Sequence, residues 1–152
     1  MSLVEMIRDM PLFARFTEAE KKAFAELDHS MLGFNEGDVI IKEGDSFRSM
    51  YLLVSGELKV TKGGLHQPLS ELAPGALFGE MSFFTHKPRS STVLAGSKAM
   101  VIKMDEAFFA KISPEMRDKI LTHVIVTMAQ RLEAMNEALL KIARFARSSL
   151  MF

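Results

Sequence analysis

The 152-residue sequence is long enough for one substantial core and short for two. Its 48% hydrophobic and 25% charged residues are the balance of an ordinary globular chain, with no apolar run long enough to cross a bilayer. Nineteen basic residues cancel nineteen acidic ones, which removes the drive for non-specific nucleic-acid binding, and the lack of cysteine excludes disulfides and thiolate chemistry. The opening MSLVEMIRDMPLF carries Glu5 and Asp9 and lacks the layout of a signal peptide, so a cytoplasmic location is expected. The methionines, scattered from Met1 to Met151, read as core fillers rather than as a binding surface.

Thr17-Glu18-Ala19-Glu20 is a capping box, and Phe24 and Leu27 follow at helical spacing, which predicts a short helix over residues 17–27. From Ser30 to Met104 the texture changes to short apolar runs, Val39-Ile40-Ile41, Met50 to Val54, Val93-Leu94 and Met100-Val101-Ile102. Turn signals punctuate them: Asn35-Glu36-Gly37-Asp38, Gly44-Asp45, Ser55-Gly56, Lys62-Gly63-Gly64, Pro74-Gly75 and Gly96-Ser97. Short strands so spaced predict a β-sandwich or jelly-roll barrel.

Helical signals return after Lys103. Asp105 can cap a short helix through Ile112, and Ser113-Pro114-Glu115 opens a second that runs without Gly or Pro to Ser148. Leu121, Ile125, Met128, Leu132, Met135, Leu139, Ile142 and Ala146 step by fours and threes as a heptad seam. Ile120, Val124 and Val126 add a second apolar face. One face is expected to meet the barrel and the other a second copy of the chain, giving a homodimer. The fold expected is mainly β with flanking helices. It is a β-jelly-roll barrel (double-stranded β-helix) with a short N-terminal helix and a long C-terminal helix, in one domain over 1–152. Its helical part covers about 1–29, the barrel about 30–104, and the C-terminal helices about 105–148.

The stretch FGEMSFFTHKPRSSTV, residues 78–93, sets Glu80 and Arg89 in apolar company, although such residues are almost never fully buried unpartnered. Gly79 permits close backbone approach, and residues 80–84 can form a helical turn whose free N–H groups bind an anion. Arg89 can lay a bidentate guanidinium on that anion while Glu80 accepts from a hydroxyl on the same ligand. A phosphate joined to a sugar, a nucleotide, satisfies both. The competing reading is a surface Glu and Arg in an ordinary hairpin.

This stretch, with the leading helix, Gly37, Gly44, Gly56, Gly75 and the closing helix, resembles the cyclic nucleotide-binding domain family, of the catabolite-activator and protein-kinase-A regulatory-subunit type. The resemblance implies a regulatory sensor that is not an enzyme and needs neither cofactor nor metal. Its ligand would be cAMP or cGMP, with cAMP favoured; Ser90 does not decide the base. Glu80 would bind the ribose 2′-hydroxyl and Arg89 the cyclic phosphate. Gly79, Met81, Ser82, Ser90 and Ser91 would complete the cradle. Arg131, Leu132, Met135 and Asn136 would fall at the lid, where the C-terminal helix closes over the base and relays the signal, although Met135-Asn136 departs from the hydroxyl residues such activators often carry there. The effector is left open, with no direct nucleic-acid or membrane partner expected.

Two alternatives compete. The first is the sensor part of a catabolite-activator-like transcription regulator. Such proteins append a helix-turn-helix after the long helix and none follows RFARSSLMF, so the chain is then either a free-standing module or a piece of a longer protein. Lys141, Arg144 and Arg147 read as cations at a helix C-terminus. A cupin-like jelly-roll enzyme would need clustered ligands, whereas His29, His66, His86 and His123 lie far apart.

Overall fold

A computed structural model describes residues 1–27, 30–64 and 67–150 of the chain; His29 and His66 lie outside them. Helix α1 (Leu3–Ile7) is followed by a 3-10 turn (Pro11–Phe13) and α2 (Glu18–Ala25). Strands β1 (Met31–Phe34), β2 (Val39–Ile41), β3 (Met50–Ser55), β4 (Leu58–Thr61), β5 (Ser70–Leu72) and β6 (Leu77–Phe78) come next. Then follow α3 (Glu80–Thr85), β7 (Thr92–Ala95), β8 (Ala99–Met104), α4 (Glu106–Lys111) and α5 (Pro114–Leu150). The strands form two antiparallel sheets, β1-β8-β3-β6 and β2-β7-β4-β5, so the expected jelly-roll architecture is present.

The continuous apolar run of β3 has a simple cause. Successive side chains point to opposite faces. Tyr51 and Leu53 enter the space between the two sheets with Val101 of β8, while Met50, Leu52 and Val54 turn outward with Ile102 and Met104. That second face is covered by helices, so neither side of the strand meets water. Phe24 packs edge-on against Phe13 and Phe108, with ring centroids 4.7 and 5.5 Å away, which ties the N-terminal helices to α4. Truncating so buried a ring typically costs about 3–5 kcal/mol.

The capping residues act where the sequence places them. Thr17 accepts from the Glu20 N–H and Glu20 from the Thr17 N–H, while Asp105 accepts from the Phe108 N–H. The Ser113 hydroxyl accepts from the Met116 N–H and opens α5. The methionines divide: Met50, Met104 and Met116 are buried, whereas Met81 and Met135 are exposed.

The first turns of α5 bury Met116, Ile120 and Val124 against the helical side of the core, with Met128 packed at its edge. Val126 does not share that face and is 38% exposed. Beyond Met128 the described side chains of α5 are exposed, including Leu132, Met135, Leu139 and Ile142. Among the described residues, nothing covers that apolar stripe. No helix among them is long and apolar enough to cross a membrane.

Candidate functional site

Strand β6 is only two residues long because Gly79, at φ +78°, turns the chain out of the sheet and into α3. Only glycine adopts that conformation at little cost. Space enforces the same choice: a Cβ here would lie 3.0 Å from a guanidinium nitrogen of Arg89 and 3.2 Å from the Ser49 carbonyl oxygen. The far end of α3 also closes in a left-handed residue, His86.

Arg89 is pinned before its side chain does anything. Its N–H donates to the Asp45 carbonyl and its carbonyl accepts from the Gly44 N–H, both at 2.8 Å, which fastens it to the turn after β2. The guanidinium then reaches inward: Nη1 donates to the Gly79 carbonyl at 2.8 Å and Nη2 to the Ser49 carbonyl at 2.6 Å. Only 5% of the residue is exposed. The guanidinium is thus anchored and desolvated, which argues against the competing reading of a surface Arg in an ordinary hairpin. Burial lowers the Arg89 pKa from the ordinary arginine value, while the fields of Tyr51, Glu80 and Asp45 pull it back upward. Among the described residues no carboxylate forms a direct ion pair with it. A guanidinium has five N–H donors, so the carbonyls leave several unspent. A buried cation in this state is stabilised by any anion that reaches it.

Glu80, the first residue of α3, is also 5% exposed, and its carboxylate accepts from Arg131 Nη1 of the long helix. Arg131 Nη2 lies 3.4 Å from the Leu77 carbonyl, so one side chain tethers α5 to the start of α3. These groups line a cavity of about 330 Å³, within the size range of small-molecule sites. Gly79, Glu80, Met81, Ser82, Arg89, Ser90, Ser91 and Arg131 all contribute to its wall. Leu132, Met135 and Asn136 do not line it and stand exposed on the helix beyond.

Sequence reasoning missed Ser49, which is 1% exposed and presents its carbonyl to Arg89. Its hydroxyl donates to the Tyr51 hydroxyl at 3.0 Å, and the Tyr51 ring stacks on Phe78 with centroids 5.2 Å apart. Only the fold brings Ser49 to Arg89, forty residues away, so nothing local in the sequence marks it. Ile41, Val60, Leu72 and Val93 complete an apolar wall supplied by the second sheet. Among the described residues no three His, Cys, Asp or Glu side chains gather as a metal-ligand set.

Residues 32–114 match the model of the cyclic nucleotide-binding domain. The chain belongs to that family. The cyclic nucleotide-binding match contains the whole cavity rim from Gly79 to Ser91 and stops short of Arg131. Among curated relatives, the cAMP-dependent protein kinase regulatory subunit of Emericella nidulans is 32% identical over 107 residues, 70% of this chain and 26% of that protein. The same subunit of Pyricularia oryzae is 27% identical over 106 residues, again 70% of this chain and 27% of that one. The chain thus spans about a quarter of the length of these relatives. In fold it is similar to the Thermus thermophilus catabolite activator protein, with a TM-score of 0.70 and 24% identity over 85% of this chain and 61% of that one. The N-terminal domain of a transcriptional regulator from Streptomyces coelicolor A3(2) aligns with a TM-score of 0.64 and 28% identity, covering 88% and 93%.

Proposed function

We propose that the chain is a regulatory sensor that binds cAMP in preference to cGMP, without catalysing a reaction on it. The observation that carries this reading is Arg89, a desolvated guanidinium with no carboxylate partner among the described residues, set in the wall of a nucleotide-sized cavity. The cyclic phosphate pairs with Arg89, and N–H groups near Gly79, Met81, Ser82 and Ser90 complete its cradle. The ribose 2′-hydroxyl donates to Glu80. The preference for cAMP draws its support from the kinase subunits named above, which are cAMP-dependent.

Signal relay follows from the contact of Arg131 with Glu80. A ribose hydroxyl arriving at that carboxylate competes with or rearranges the ion pair, so ligand binding is felt by α5. Closure of the helix then brings Leu132, Met135 and Asn136 over the base. The exposed stripe of Ile125, Leu132, Met135, Leu139 and Ile142 supports a parallel role for α5 as a homodimer seam. Each such side chain gains about 1.5–3 kcal/mol when fully buried. The proposed setting is cytoplasmic, with an effector protein or domain downstream and no direct nucleic-acid contact.

Thermal-shift measurements with cAMP, cGMP and 5′-AMP test the reading, since a ligand that prefers the folded state raises the melting point. The largest shift is expected with cAMP and the smallest with 5′-AMP. Equal shifts with 5′-AMP, or none with either cyclic nucleotide, refute it.

A further inference from the structure

A second cavity, of about 270 Å³, lies where the 3-10 turn and the residues after it meet α5. Pro11, Leu12, Ala14 and Val126 make its apolar side, and its polar side consists of Arg15, Lys119, His123, Thr127 and Gln130. The volume is that of about nine water molecules in the liquid, ample for a phosphate-sized group.

Its charge is one-sided. Arg15 has no carboxylate partner among the described residues. Lys119 donates to Glu20 of α2, which occupies one of its three N–H donors. His123 Nε2 stands 3.4 Å from the Thr127 hydroxyl. The groups facing His123 are therefore Arg15 from the turn after the 3-10 segment, Lys119 and Thr127 from α5, and Glu20 behind Lys119. Among the described residues the cavity wall carries two cations and no carboxylate, and Glu20, behind Lys119, is already engaged by it. Burial and the field of Arg15 both lower the His123 pKa from its ordinary value, as expected for an imidazole beside an uncompensated cation.

The geometry points to a second ligand site here, specific for a small oxyanion such as a phosphoryl group, held by Arg15, Lys119 and His123 and independent of the nucleotide cavity. Its position gives it leverage. Gln130 lines this cavity and Arg131 lines the other, so consecutive residues of α5 serve the two sites. An oxyanion that ties α5 to the turn after the 3-10 segment through Lys119 and His123 holds the helix about two turns before Arg131, which meets Glu80.

Pyrophosphate is the probe, and the ring signals of His123 in the full chain are the readout, assigned by comparison with His123→Gln. Pyrophosphate at millimolar concentration should shift the His123 signals saturably and raise the pH midpoint of their titration, because a bound anion offsets Arg15. Arg15→Gln, at an exposed position that leaves the core intact, should weaken the response about tenfold or more. Arg89→Lys should leave it unchanged, which separates this site from the nucleotide cavity. The second site is ruled out if His123 does not respond, if Arg15→Gln responds like the parent, or if Arg89→Lys abolishes the response.

Discussion

Replacing Arg89 by alanine probes both halves of its environment at once. The substitution removes a buried charge from the cavity wall together with the donors to the Gly79 and Ser49 carbonyls. On the ligand side, truncating one member of a desolvated charge pair costs about 2–5 kcal/mol of binding. At about 1.4 kcal/mol per decade, that is roughly thirty-fold to several-thousand-fold weaker affinity for cAMP. On the protein side, two carbonyls lose a charged donor, for about 1–3 kcal/mol of stability. The relief of burying a cation partly offsets this, so the melting point should fall by only a few degrees, at roughly 2–4 °C per kcal/mol for a chain near this size. Arg89→Lys retains the charge but not the planar fork that spans both carbonyls, and should recover part of the binding. Calorimetric titration with cAMP gives the affinity, and thermal melting followed by circular dichroism gives the stability. An Arg89→Ala protein that is folded and binds cAMP as tightly as the parent would refute the role given to Arg89. If the alanine variant fails to fold, parental affinity in folded Arg89→Lys refutes the bidentate contact instead.

Gly79→Ala forces a side chain into left-handed backbone, at about 1–2 kcal/mol, and presses it against the Arg89 guanidinium. Both the melting point and cAMP affinity should drop, and a variant unchanged in both would contradict the packing. Lys119 and the Thr17 N–H hold the Glu20 carboxyl below its ordinary pKa. A depressed carboxyl contributes stability above its unfolded-state pKa that is lost as pH falls through the folded value. Glu20→Gln should therefore flatten the acid limb of a melting-point-versus-pH curve, and an unaltered limb would show that this pair is inert. Leu132→Lys combined with Leu139→Lys should give a folded monomer by light scattering, whereas a parent chain already monomeric over a wide concentration range would remove the seam.

The stretch from Gly79 to Ser91 is legible in the sequence because its residue types are expensive to misplace. A glycine, an acid and an arginine set among apolar neighbours each demand a reason, and their spacing keeps them within one local unit. The capping residues Thr17, Asp105 and Ser113 are legible for a similar cause, since an N-cap acts on amides two or three residues away. Strands of two or three residues such as β5 and β6 carry too few side chains to show an alternation. The roles of Ser49 and Arg131 escape a linear reading because proximity across forty and fifty-one residues exists only in the fold. Arg131, expected over the base, is found on the Glu80 carboxylate. The cavity at Arg15 and His123 is invisible for the same reason, its two sides lying more than a hundred residues apart in sequence.

A crystal structure of the chain grown with cAMP bears most directly on the central claim. One nucleotide is expected in the 330 Å³ cavity, its cyclic phosphate within hydrogen-bond distance of both the Arg89 guanidinium and the N–H groups at the start of α3. Its ribose 2′-hydroxyl should lie on Glu80. An empty cavity at saturating cAMP, or a nucleotide bound with its phosphate away from Arg89, would contradict the proposed sensor.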